Sequence, residues 1–233
     1  MKLAKAALDV GLFTSQREAM LEFWQRAVGV PFDELLPTGR GAHQLRHRIG
    51  ESILKINHVR DGLTLAPPSG YRSLAIARSG IRATRDFVDP DGNPVQLIAP
   101  GERGIEQLEL TLATRDVDAM RAFYRDVLEL DEVAPAVFAC GVSRIAITHD
   151  PGATRDQSAM RHVGYRYTTI QVFDVVAEHR GILARGGREG SAPVRLGDVA
   201  YISFVRDPDG NWIEISQRKS LTGTLDSRSA AEL

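Results

Sequence analysis

The 233-residue sequence predicts an α+β protein made of tandem strand–helix–strands modules. Three observations predict it. The turn sequence Asp-Pro-Asp-Gly-Asn occurs twice, in FVDPDGNPVQLI at 87–98 and in FVRDPDGNWIEISQ at 204–217. A strand, turn and helix carrying Ala-Met-x-x-Phe-aromatic also occurs twice, in 6–30 and 108–130. Between these, apolar and polar residues alternate with the period of two that a strand with two unlike faces requires.

The elements follow in order. In 5–10, Leu8 and Val10 oppose Lys5, Ala7 and Asp9. Ser15-x-x-Glu18 has the form of a capping box, and Met20, Phe23, Trp24 and Ala27 then recur at helical spacing. In ILKINH at 53–58, Leu54 and Ile56 oppose Lys55 and Asn57. In SGYRSLAIA at 69–77, Leu74 and Ile76 oppose Tyr71, Ser73 and Ala75. The short RSGIRATR at 78–85 stands where a helix is expected, and the first turn hairpin closes with Val95 and Leu97 opposing Gln96.

The linker APGERG at 99–104 opens the same series again. Leu108, Leu110 and Leu112 oppose Gln107, Glu109 and Thr111, and Asp116 can cap a helix bearing Met120, Phe123, Tyr124 and Val127. In RIAITH at 144–149, Ile145 and Ile147 oppose Arg144, Ala146 and Thr148. In VGYRYTTIQV at 163–172, Ile170 and Val172 oppose Tyr167, Thr169 and Gln171. FDVVAEHRGILARGG at 173–187 reads as an amphipathic helix ended by Gly-Gly. Last, Ile213 and Ile215 oppose Trp212, Glu214 and Ser216. The correspondences divide the chain into an N-terminal half, 1–100, whose second module lacks its helix, a C-terminal half, 101–218, and a polar tail, 219–233, expected to be frayed.

Composition narrows the function. A net charge of −1 gives no basic patch for nucleic acid, and no apolar run approaches the roughly 20 residues of a membrane span. MKLAKAALDV is interrupted by Asp9 too early for a signal peptide. One cysteine, Cys140, precludes an internal disulfide, and a reducing, cytoplasmic location is expected. A monomer and a homodimer are both compatible with this surface. The second strand face mixes Tyr, Trp, Gln and Thr with isolated charges instead of the Lys/Glu mixture of a solvated surface. A curved sheet with such a face makes a cup, and the expected partner is a small-molecule ligand or substrate.

FYRDVLEL at 123–130 and above all DPDGNWIEI at 207–215 carry a resemblance to the vicinal oxygen chelate superfamily, which includes glyoxalase I, bleomycin-resistance proteins and extradiol dioxygenases. It covers about residues 3–217. The resemblance implies βαβββ modules paired into curved mixed-sheet cups, the glyoxalase/bleomycin-resistance/dioxygenase fold, with divalent-metal ligands at four matching strand positions. Those positions hold Lys5, Lys55, Tyr71 and Gln96 in one half and Gln107, Ala146, Tyr167 and Glu214 in the other. A protonated lysine has no lone pair to donate, and one carboxylate without imidazole is a poor set for Fe or Zn. No cofactor is therefore expected, Glu214 being the single metal ligand of the family's type. The six histidines are read as surface or edge residues.

The resemblance implies an enzyme of lyase, isomerase or ring-cleavage type. Glu214 is the candidate base, with Tyr167 and Gln107 binding or polarising a carbonyl oxygen. Lys5, Asp9, Lys55, Asn57, Tyr71, Gln96, Arg144, Thr169 and Trp212 are the candidate substrate-binding residues. The alternatives are a ligand-binding protein without turnover, of the bleomycin-resistance type, and a metal dioxygenase with displaced ligands.

Overall fold

The computed structural model describes the chain except residues 40, 61, 64, 65, 154, 156–159 and 227–233. The first module comprises β1 (Asp9–Thr14), α1 (Arg17–Glu22), β2 (Phe32–Gly39), β3 (Ala42–Ile49) and β4 (Ser52–Val59). The second has only strands, β5 (Tyr71–Ala77), β6 (Arg85–Val88) and β7 (Pro94–Ile98). The third is β8 (Leu108–Thr114), α2 (Val117–Ala122), β9 (Asp131–Ala134), β10 (Val137–Cys140) and β11 (Ser143–His149). The fourth is β12 (Gly164–Gln171), α3 (Val175–Ala184), β13 (Arg188–Leu196), β14 (Ala200–Arg206) and β15 (Trp212–Arg218), followed by α4 (Lys219–Thr222).

Local chemistry accounts for most boundaries. Asp116 Oδ1 accepts from Ala119 N at 2.9 Å and caps α2 as expected, and Asp174 does the same for α3 through Ala177 N. The Ser15 capping box does not form. Gln16 occupies the cap, and its amide turns to Pro90 O and Asp91. Both α1 and α2 widen into a π turn at Phe23–Ala27 and Phe123–Val127, which drives Trp24 and Tyr124 fully into the core. Residues 78–84 contain no helix, and Phe23 meets Phe87 edge-on at 6.4 Å beside this gap.

The modules pair across the halves. The eight-stranded sheet has the order β13-β14-β15-β12-β1-β4-β3-β2, so it joins the first and fourth modules. The seven-stranded sheet, β6-β7-β5-β8-β11-β10-β9, joins the second and third. This overturns the expectation that each half forms its own cup. The link 99–107 is shorter than the links 60–70 and 150–163. It places β8 beside the second module, where it pairs antiparallel with β5, and leaves β1 and β12 to pair with each other. The apolar strand faces and the helices share one core that includes Leu54, Ile56, Leu74, Leu97, Leu110 and Ile213.

Three further expectations are corrected. The first strand begins at Asp9 and not at Lys5, because residues 4–7 bend and Lys5 folds back to pair with Asp9. Tyr71 belongs to the core: a bulge between Tyr71 and Ser73 turns it inward, and its hydroxyl donates to Trp212 O at 3.0 Å. The described part of the tail is ordered against the body, with Thr222 and Leu225 buried.

Each Asp-Pro-Asp-Gly-Asn turn is organised by its first Asp. Asp207 accepts from Asp209 N, Asn211 N and Asn211 Nδ2, and Asp89 accepts the equivalent set. Burial nevertheless pushes Asp207 up to about 7 and Asp89 up to about 6. These folded-state values lie above the roughly 3.9 of an unfolded Asp, so between about pH 4 and pH 7 the folded chain binds more protons than the unfolded one. Stability contributed by these protons is present at the acid end and lost as pH rises through that window. Urea denaturation should show a fall in stability from pH 5 to pH 8 that is shallower in Asp89→Asn/Asp207→Asn. An equal fall in the variant removes these two groups as its cause.

Candidate functional site

The concave face of the eight-stranded sheet carries the site. Its four central strands, β4, β1, β12 and β15, hold the register Gly11↔Lys55, Asp9↔Thr169 and Thr169↔Glu214. That register brings Lys55 from the first module to Glu214 in the fourth. Lys55 Nζ donates to Glu214 Oε2 at 2.8 Å and to Thr169 Oγ1 at 2.6 Å, and Thr169 Oγ1 lies 2.8 Å from the same Oε2 as a second donor. Lys55 is 3% exposed and Glu214 8%, so this is a buried ion pair. Burial lowers the Lys55 pKa, and the Glu214 and Asp9 carboxylates oppose that shift. Asp9, fully buried, accepts from Ile53 N at 2.8 Å and pairs with Lys5.

Tyr167 stands next to the pair, with the Lys55 ammonium 5.5 Å from its ring centroid. Its hydroxyl receives Asn57 Nδ2 at 3.1 Å and Gln44 Nε2 at 3.3 Å. Burial raises its pKa, so it is a neutral phenol at pH 7. Both amide neighbours are donors, which leaves the phenolic proton for a ligand oxygen. Beyond Tyr167 the face is aromatic. Phe13 and Phe204 pack against it, Trp212 meets Phe204 edge-on, and the Arg206 guanidinium lies 3.7 Å from the Trp212 ring centroid.

The opposite end of the cup opens into a cavity of ≈ 680 Å³. Asp9, Ile53 and Gln171 form its inner wall, and Arg46, Arg218 and Glu34 are among the charged residues around it. The site is thus a polar centre between an aromatic end and a charged, open one.

Asp9, Lys55, Asn57, Tyr167, Thr169, Trp212 and Glu214 are brought onto one face, as the strand alternation predicts, and Lys5 joins them from the bend before β1 through its pairing with Asp9. Other candidates are not. Gln107 donates to Ser52 Oγ and accepts from Glu51 N, holding the β3–β4 hairpin end against β8 away from Glu214. Gln96 and Arg144 lie on the seven-stranded sheet, where Gln96 bonds Asp86 and Arg103 and Arg144 pairs with Glu109 at 3.1 Å. Tyr71 lies in the core. Gln44, Arg46 and Gln171, all buried, belong to the site although sequence reasoning does not single them out. Alternation through AHQLRHRI places Gln44 and Arg46 on one face of β3. His47 and His179 are buried, not peripheral. His47 meets Gln25, and His179 sits between Ser203 Oγ and Glu189 Oε2 at 3.0 Å each.

The donor set does not fit a divalent metal. On the four central strands the facing groups are Asp9, Lys55, Tyr167 and Glu214. The lysine ammonium cannot ligate and sits on Glu214, the phenol is protonated, and Asp9 is engaged by Lys5. Among the described residues, no three His, Cys, Asp or Glu side chains gather in a ligating group.

Residues 105–215 match the model of the Glyoxalase/Bleomycin resistance protein/Dioxygenase superfamily. Among solved structures, glyoxalase I from Zea mays is similar with a TM-score of 0.74 at 15% identity, over 96% of this chain and 96% of that one. A putative dioxygenase from Bacillus subtilis is similar with a TM-score of 0.69 at 13% identity, over 97% and 92%. Identities this low establish a common fold and leave the chemistry to the site. No curated protein sequence matches the chain. No described helix is long and apolar enough to cross a membrane.

Proposed function

We propose, for a chain whose residues 105–215 match the model of the Glyoxalase/Bleomycin resistance protein/Dioxygenase superfamily, a small-molecule enzyme that moves a proton without a divalent metal. The observation that carries this is the Lys55–Glu214 pair at the centre of the cup. Lys55 supplies there the positive charge that steadies an oxyanion developing on a carbonyl substrate. Glu214 accepts the proton from the adjacent carbon through Oε1, since Oε2 is held by Lys55 and Thr169. Tyr167, neutral and with its proton free, donates to the same substrate oxygen.

A panel of carbonyl compounds with acidic α-hydrogens tests this before the substrate is identified. Each is incubated with the protein in D₂O and followed by NMR for α-hydrogen exchange. Exchange is expected with the wild type and should fall about 10²–10⁴-fold in Glu214→Gln. Glu214→Asp keeps the partner of Lys55 and withdraws the carboxylate by one methylene, so it should fold normally and still lose most of the rate. If both variants exchange like the wild type, Glu214 is not the base. A second reading, ligand binding without turnover, draws on the two hydrogen bonds that already engage Oε2. It predicts panel members that raise the melting temperature and never exchange.

A further inference from the structure

We infer that the charged end of the cup takes a small hydroxycarboxylate, its carboxylate held between Arg46 and Arg218 and its hydroxyl directed to Gln171. The inference rests on the proposal that this cup is a small-molecule site, and it concerns what the cup binds, not how a proton moves.

Among the described residues, two buried polar atoms of cavity-lining side chains lack hydrogen-bond partners, and they are of opposite kind. Gln171 is 1% exposed, and its Oε1 accepts no hydrogen bond. Its Nε2 is turned to Asp9 Oδ2 at 3.5 Å, and the carbonyl oxygen is left unpaired. Arg46 is 6% exposed, and its Nε donates to nothing. It lies 3.0 Å from Glu34 Oε1, but the N–H is not aligned with that oxygen. A buried orphan donor and a buried orphan acceptor are each costly, and one ligand carrying an acceptor and a donor satisfies both.

The charge balance gives the ligand its sign. Four cations, Lys5, Lys55, Arg46 and Arg218, face three carboxylates, Asp9, Glu214 and Glu34. Arg48 and Lys219 at the rim have their own partners in Asp33 and Asp198, and Glu51, which also lines the cavity, is exposed at that rim. Away from that exposed rim, the described residues thus hold one positive charge in excess. It falls on the two guanidiniums, which share the single carboxylate of Glu34 at 3.0 and 3.9 Å. Burial and the nearby Arg46 lower the Arg218 pKa, and the Glu34, Glu214 and Asp9 carboxylates oppose that shift. Glu34 is a weak occupant: it is 43% exposed and sits on β2, the sheet edge. A singly charged, planar carboxylate matches both the charge and the guanidinium forks, whereas a phosphate dianion exceeds the deficit.

Calorimetric titration with mandelate, mandelamide, phenylacetate and inorganic phosphate tests this. Mandelate should bind saturably, at least about 10-fold more tightly than mandelamide or phosphate. Arg218→Met should weaken mandelate about 10-fold or more. Glu34→Gln, at an exposed edge position that tolerates substitution, should instead tighten it by removing the competing carboxylate. Gln171→Leu should weaken mandelate but leave phenylacetate, which lacks the hydroxyl, unchanged. Equal binding of mandelate and mandelamide, a stronger response to phosphate, no binding by mandelate, or mandelate affinity unmoved in Glu34→Gln each overturns the inference. Failure of Glu214 as a base leaves these outcomes untouched, so the two proposals fail separately.

Discussion

Replacing Lys55 by Met is expected to destabilise the protein by about 3–5 kcal/mol, the range for breaking a buried ion pair from one side. The side chains of Lys55 and Glu214 are 4% and 10% exposed, so solvent cannot take over the lost partner. The substitution conserves volume well, and the cost therefore comes from charge and not from a cavity. Glu214 would remain on β15 with only Thr169 beside it, on a floor that also holds Asp9. The double variant Lys55→Met/Glu214→Leu should recover most of the loss, because a buried pair removed whole is often near neutral. Urea denaturation of the three proteins at pH 7 closes the cycle. A single variant within about 1 kcal/mol of the wild type would mean that the pair is hydrated or absent in solution.

The ion pair shows what is legible in the sequence. Both members stand out, each by its place on an alternating strand, yet the repeat assigns them to different cups. Strand existence and facing are local properties, so Leu54/Lys55 and Ile213/Glu214 report them directly. Which module pairs with which is decided by link lengths and by antiparallel register over more than a hundred residues. Local alternation carries no trace of Thr169 meeting Asp9. The same limit hides the role of Gln107, whose contacts at Glu51 and Ser52 exist only because the sheets stack as they do.

Smaller departures have local causes that the repeat masks. Tyr71 and Tyr165 align in the repeat and both are buried, but a single bulge separates Tyr71 from the face of Ser73. Lys5 shares the parity of Asp9 and for that reason reads as a strand residue. It lies in a bend, so the position on β1 that faces the cup centre is the acid and not the base. With Asp9 there, the Lys55 ammonium feels two carboxylates, Asp9 and Glu214, an arrangement that neither half supplies alone.

Gly11→Ala is expected to cost about 3 kcal/mol or somewhat more, at the upper end for overpacking, although its backbone conformation is ordinary. A Cβ at this position would lie 2.1 Å from Tyr167 Cε1 and 2.2 Å from Cζ, far inside contact distance. The backbone cannot withdraw, because β1 is paired on both sides, with β12 and β4. The ring cannot easily withdraw either: Phe13 and Phe204 pack against it, and Asn57 and Gln44 hold its hydroxyl. Relief must come by lifting Tyr167 off the floor of the cup, which breaks those two hydrogen bonds and moves the phenol from beside Lys55. Gly11→Ala should therefore lose stability in urea denaturation and lose ligand affinity at the same time, whereas Gly11→Ala/Tyr167→Ala should be no less stable than Tyr167→Ala alone. If Gly11→Ala proves as stable as the wild type, the ring does not rest on Gly11, and the phenol cannot be placed over the centre of the cup.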